Sequence, residues 1–104
     1  MRAGDLDRQI VIEREQITGD DGYGNEIRGW APVATVWANV KQESGREFFA
    51  QSAVQNERRV VFRIRWLEVK TDDRVMYEGR EHNIHDVREL GRREGIELHT
   101  AARV

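Results

Sequence analysis

The sequence has no cysteine, a single proline and no apolar run long enough to span a membrane as a helix; "VVF" at 60–62 is about as dense as it gets. Without cysteine there is neither a disulfide framework nor a thiolate metal site. A basic surplus is also missing. The formal net charge of -2 and pI near 5.9 argue against a general binder of nucleic acid or anionic membrane. The opening "MRAGDLDRQ" has no apolar run after its basic residue, so a signal peptide is not expected. The 104 residues are expected to form one soluble domain, 1–104, made inside the cell.

What is present is mostly strand. "QIVIERE" (9–15) alternates Ile10 and Ile12 with polar neighbours. "ITGDDGYGNEIRGW" (17–30), with four glycines among acidic and polar residues, reads as a long unstructured loop. Pro32 leads into "VATVWANV" (33–40), where Ala34, Val36, Ala38 and Val40 share one face and Trp37 takes the other. In "RRVVFRIRW" (58–66), Val60, Phe62, Ile64 and Trp66 are expected to point one way and Arg59, Arg63 and Arg65 the other. "DRVMYEG" and "REHNIHDV" meet at Glu78-Gly79, a tight hairpin turn. "ELGRREG" supplies another turn and "IELHTA" (96–101) a closing strand. One stretch breaks the pattern. "SGREFFAQSAVQ" (44–55) opens with a capping box, Ser44 with Glu47, and sets Phe49 one helical turn from Ala53. The expected fold is mainly β: a small antiparallel barrel or rolled sheet of about six strands with one short inserted helix, too short to be stable unless it docks.

Chemistry is sparse. His82 and His85 lie three apart on a strand and so face opposite ways, which speaks against a metal site with His99 and Asp86 and for ordinary polar strand positions. "GDDGYGNE" lacks both the alternating carboxylates of a calcium loop and the lysine of a phosphate loop. Ser44 is used as a cap and Ser52 lies in the helix, with no suggestive histidine near either. No catalytic residue, metal or cofactor is expected, and the chain is read as a non-enzyme. Arg59, Arg63 and Arg65 could follow a phosphate backbone, giving a small barrel that binds single-stranded nucleic acid. The negative chain and the lack of aromatics between these arginines favour pairing with acidic groups on adjacent strands.

Taken in order, "MRAGDLDRQIVIER", "DDGYGNEIRGW", "VATVWANVKQESGREFFAQSAV", "VVFRIRW", "DRVMYEGREHNIHDV" and the polar hairpin before the last strand cover nearly the whole chain. In that order and spacing they resemble the phage head–tail joining (head-closure, head–tail adaptor) proteins. The chain departs from them at His82, where an aromatic is expected, and in "WLEVKTDD", which lacks the proline or glycine expected between those strands.

The resemblance implies a small β-barrel that forms a homo-oligomeric ring under the portal or adaptor of a phage, prophage or phage-like particle. Such a ring provides the tail-docking surface and helps retain packaged double-stranded DNA. The partners implied are further copies of the chain, the portal or adaptor ring, the tail or tail-terminator protein and the DNA in the channel, with no membrane. The chain would be made in the bacterial host cytoplasm and reside at the head–tail interface of the virion, and it is expected to be monomeric in dilute solution. The segment carrying Ser44, Arg46, Glu47, Phe48, Phe49, Gln51 and Gln55 is the expected channel-side or assembly element. The loop carrying Asp20, Asp21, Tyr23, Asn25 and Glu26 is the expected inter-ring contact.

Overall fold

Alternation of apolar and polar residues dictates where the sheet turns its faces, and the computed structural model, which describes residues 3–42 and 57–103, shows the result. After a 3-10 turn at Ala3–Asp5 come six strands: β1 Arg8–Asp20, β2 Glu26–Gln42, β3 Glu57–Arg65, β4 Arg74–Tyr77, β5 Arg80–Leu90 and β6 Gly95–Arg103. They close antiparallel into a barrel in the order β1-β2-β3-β6-β5-β4. Closure removes open edges from the part of the sheet that surrounds the core. The expected inserted helix, 44–55, falls outside the described residues.

Inside the barrel lie Ile10, Ile12, Ala38, Val60, Phe62, Ile64, Val75, Ile84, Ile96 and Leu98. These include the inward sets expected of β1 and β3, and Val36 and Val40 pack against them from β2. Trp37 turns outward as its alternation requires. Trp66 does not join the inward row: β3 ends at Arg65, and the exposed Trp66 ring lies under Arg93, whose guanidinium carbon is 4.7 Å from the ring centre. On the arginine face of β3, Val61 is buried as well.

Turn chemistry fixes the registers. Tyr77 pairs with Arg80, and Glu78 and Gly79 between them have φ of 52° and 75°, the two left-handed residues of a type I′ hairpin turn. At the other end of β5, Leu90 pairs with Gly95 across a turn closed by the Glu94 N–H donating to the Leu90 carbonyl at 3.1 Å. Between Ile84 and Asp86 the β5–β6 register shifts by one residue. That bulge sets Asp86 opposite His99 and lets Val87 face Leu98, packed against the core. A second bulge skips Val33 in β2, beside Pro32, a place where a missing N–H does least harm.

The reading of 17–30 as an unstructured loop is corrected. β1 and β2 pair continuously out to Asp20 and Glu26, with a further bulge at Thr18. β1 pairs with β4 only through Val11–Glu13, and β2 pairs with β3 only from Ala38 onward. The outer ends of β1 and β2 therefore leave the barrel as a two-stranded arm. Ladder hydrogen bonds need no buried face, so an arm that is polar on both sides gives no alternation signal.

Candidate functional site

The arm is built from its tip inward. Asp21 makes the turn: its Oδ1 accepts from the Tyr23 N–H at 2.8 Å and the Asn25 N–H at 3.2 Å, and its Oδ2 from Asn25 Nδ2 at 2.9 Å. The Asn25 side chain and then the Tyr23 N–H hold the Asp21 carboxyl below the usual carboxylate range. Asp20 accepts from the Gly22 N–H at 3.0 Å, and Gly22 and Gly24 supply the positive φ that lets the chain reverse. These contacts leave the Tyr23 ring and the Glu26 carboxylate outside the turn. Tyr23 is 90% exposed, and Ile17 and Ile27 stand out on the strands below it.

Two braces hold the base of the arm. Arg14 on β1 meets Asp73, just before β4, through Nε at 2.8 Å and Nη2 at 2.9 Å, and Asp73 also accepts from the Lys70 N–H at 2.9 Å. The Asp73 side chain is fully buried. Burial opposes its charge, but Arg14 and the Lys70 N–H outweigh it, so its pKa is lowered. In the second brace Arg74 on β4 pairs with Glu13 at 2.8 Å and Glu81 at 2.9 Å while its guanidinium carbon lies 4.2 Å from the centre of the Trp30 ring. Sequence reading missed both braces. Arg14 and Asp73 are 59 positions apart, and nothing in either neighbourhood marks the other. A cleft of about 310 Å³ between the arm base and the β3–β4 loop is lined by Arg14, Glu15, Arg28, Lys70, Asp72 and Asp73. Its three positive and three negative groups select no ligand of one sign.

The arginine row is divided. Arg63 donates through Nε and Nη2 to Glu97 on β6, as expected of cross-strand pairing, and Arg63 followed by His99 keeps Glu97 below the usual carboxylate range. Arg59 and Arg65 are exposed and have no ion pair among the described residues. His85 is exposed, and His99 Nε2 lies 3.3 Å from Glu97. His82 is not an ordinary polar strand position. It is buried edge-on to Phe62, with centroids 5.3 Å apart, and tilted against Tyr77 at 6.0 Å, so it packs as the aromatic expected there. Among the described residues no three acidic or histidine side chains converge as a metal site. Ser44, Arg46, Glu47, Phe48, Phe49, Gln51 and Gln55, the expected assembly segment, lie outside the described residues.

A closed six-stranded barrel with a braced arm, spread over the whole chain, is what the comparisons match. The family described as phage head completion protein matches residues 1–103. The chain belongs to that family. Membership makes it a virion-associated structural protein of the phage head rather than an enzyme. Two solved structures share the fold. Protein SF1141 from Shigella flexneri 2a, solved in solution, superposes with a TM-score of 0.70 at 23% identity, covering 98% of this chain and 96% of that one. A chain from the virion of a native gene transfer agent particle superposes with a TM-score of 0.65 at 19% identity, covering 95% and 96%. No curated protein matches the sequence.

Proposed function

We propose that this head completion protein forms a ring of identical copies beneath the portal or adaptor. The ring provides the surface on which the tail or tail-terminator protein docks, and it helps retain the packaged double-stranded DNA. The observation that carries this reading is the whole-chain family match joined to a braced arm that holds exposed Ile17, Tyr23 and Ile27 clear of the barrel. A fold that leaves such side chains on a fixed arm presents a contact surface, and a head-closing component needs contacts on more than one side. In this reading Asp20, Asp21, Tyr23, Asn25 and Glu26 meet an adjacent ring or subunit. The segment from Ser44 to Gln55 lies toward the channel, where Phe48 and Phe49 serve assembly. A near-neutral surface suits a DNA conduit, because a strongly basic lumen would hold the DNA through its phosphates.

The arginine-row reading, a single-stranded nucleic-acid binder, is weakened by the commitment of Arg63 to Glu97. Electron microscopy of the purified chain mixed with the portal–adaptor assembly of its particle tests the connector reading. An added density layer at the distal end of the channel is expected, and its symmetry counts the copies. A competent assembly that gains no layer overturns the proposal.

A further inference from the structure

Beyond the hydrogen bonds of its own turn, the arm carries two unmatched properties. Between Gln16 and Ile27 there are three acidic residues, Asp20, Asp21 and Glu26, and no basic one. On the same stretch Ile17, Tyr23 and Ile27 are 56%, 90% and 47% exposed. The surface is acidic and apolar together, and both braces at its base use residues nearer the barrel.

A complementary surface exists elsewhere on the same chain. Ala38 pairs with Ile64, both buried, so the residues next to them on each strand, Trp37 and Arg65, turn outward at neighbouring positions. Trp66 follows, with Arg93 stacked over it, and Arg92 stands beside Arg93 in the β5–β6 turn. Trp37 is 55% exposed and Trp66 39%. The acidic groups of that turn are already engaged: Glu89 accepts from the Arg93 N–H at 3.0 Å, and the Glu94 carboxylate folds against Gly91. The result is a basic rim set with two tryptophans.

Strand direction puts both surfaces at one end of the barrel. β1 and β3 are each antiparallel to β2 and so run the same way. The arm is the C-terminal continuation of β1, and Arg65 is the C-terminal end of β3. The arm's braces, however, run to the β4 side, through Asp73 and Arg74. Among the described residues no ion pair or ring contact joins the arm to Arg65, Trp66 or Arg93. One copy does not satisfy its own arm.

We infer that the arm of one copy docks on the Trp37–Arg65–Trp66–Arg93 rim of a second copy of this chain. Two different patches meeting in this way make a heterologous, head-to-tail contact, which closes into a ring when the rotation between copies allows. With arm and rim at the same end, successive copies stand side by side with their barrel ends level. This deepens the connector reading and rests on it: the ring proposed above is joined arm to rim.

The absence of cysteine makes the test direct. Tyr23→Cys and Arg65→Cys are placed in one chain, mixed with the portal–adaptor assembly or kept alone at high concentration, and treated with a short bis-maleimide. A ladder of crosslinked multimers is expected from the pair. Either single variant should give at most dimers, and Tyr23→Cys with Asn83→Cys on β5 should give no ladder. Glu26→Arg should reduce the ladder severalfold, and adding Arg92→Glu and Arg93→Glu to the same chain should restore it. That rescue separates a lost contact from a lost fold. Absence of a ladder under both conditions overturns the arm-to-rim contact. The density layer is scored in the same samples with the wild-type chain: a layer without a ladder leaves the connector reading standing and removes this contact, whereas no layer removes the connector reading itself. A ladder in the free chain supports the contact in either case.

Discussion

Asp73→Ala strikes the one fully buried carboxylate and is expected to loosen the arm and the barrel together. The substitution removes two hydrogen bonds from Arg14, at 2.8 and 2.9 Å, and one from the Lys70 N–H, which loses its acceptor. Breaking a buried ion pair costs about 3–5 kcal/mol when the surviving charge stays buried. The Arg14 side chain keeps 32% of its surface exposed, so water recovers part of the loss, and about 2–3 kcal/mol is expected. In a domain of this size that lowers Tm by roughly 10–15 °C. Thermal melts followed by circular dichroism at neutral pH measure it. Amide exchange should then quicken along Arg14–Asp20 more than along β3 and β6.

The same pair carries a pH signature. Asp73 is more acidic folded than unfolded, so its contribution is complete above the unfolded carboxyl value of about 4 and is lost as pH falls through the lower folded value. The wild-type chain should lose stability across that acid range, and Asp73→Ala should lose correspondingly less. Removing Arg14 instead strands a fully buried carboxylate, and the double variant Arg14→Ala/Asp73→Ala should cost less than the sum of the two single changes. A Tm drop below about 3 °C for Asp73→Ala, with additive single and double variants, would refute the view that this pair anchors the arm.

His82→Phe tests a different window. The ring is buried and its Nδ1–H donates to the Arg80 carbonyl at 3.0 Å; burial pushes its pKa down, so the unfolded chain binds the proton first as pH falls below about 6.5. Wild-type stability should therefore decline from about pH 6.5 downward, and in chemical-denaturation series at stepped pH the Phe variant should show a flatter profile there. Glu78→Asn addresses the β4–β5 turn, where Glu78 sits at φ 52°. Asparagine tolerates that conformation better, and Arg8 is a distant partner at 4.0 Å, so Tm should rise by a few degrees, for about 0.5–1 kcal/mol. An unchanged or lower Tm would show that the turn is not strained by its glutamate.

Legibility differed from element to element, for physical reasons. β3 could be read residue by residue up to Ile64, because a strand with one face on a core must alternate, and Val60, Phe62 and Ile64 alternate with arginine at 59, 63 and 65. Trp66 broke that reading because the strand ends one residue earlier, which alternation alone does not signal. The Glu78-Gly79 turn was legible because it needs two left-handed residues and a glycine offers one cheaply. The arm was misread for the converse reason. Its ladder is satisfied backbone to backbone with neither face buried, and its glycines and aspartates look like loop because two of each form the turn at its tip. The tip residues were rightly singled out as one group, but as a flexible loop instead of the end of a braced hairpin.

By itself, the sequence determined the strand content, the inward faces of β1, β2 and β3, the tight turn, and the lack of any thiol chemistry. All of these follow from neighbours within a few positions along the chain. Barrel closure decided the rest. It chose Glu97 for Arg63 across 34 positions, Asp73 for Arg14 across 59 and Glu13 for Arg74 across 61, and it turned His82 into a core aromatic. Such pairings depend on strand order and register, which emerge only when six strands share one core.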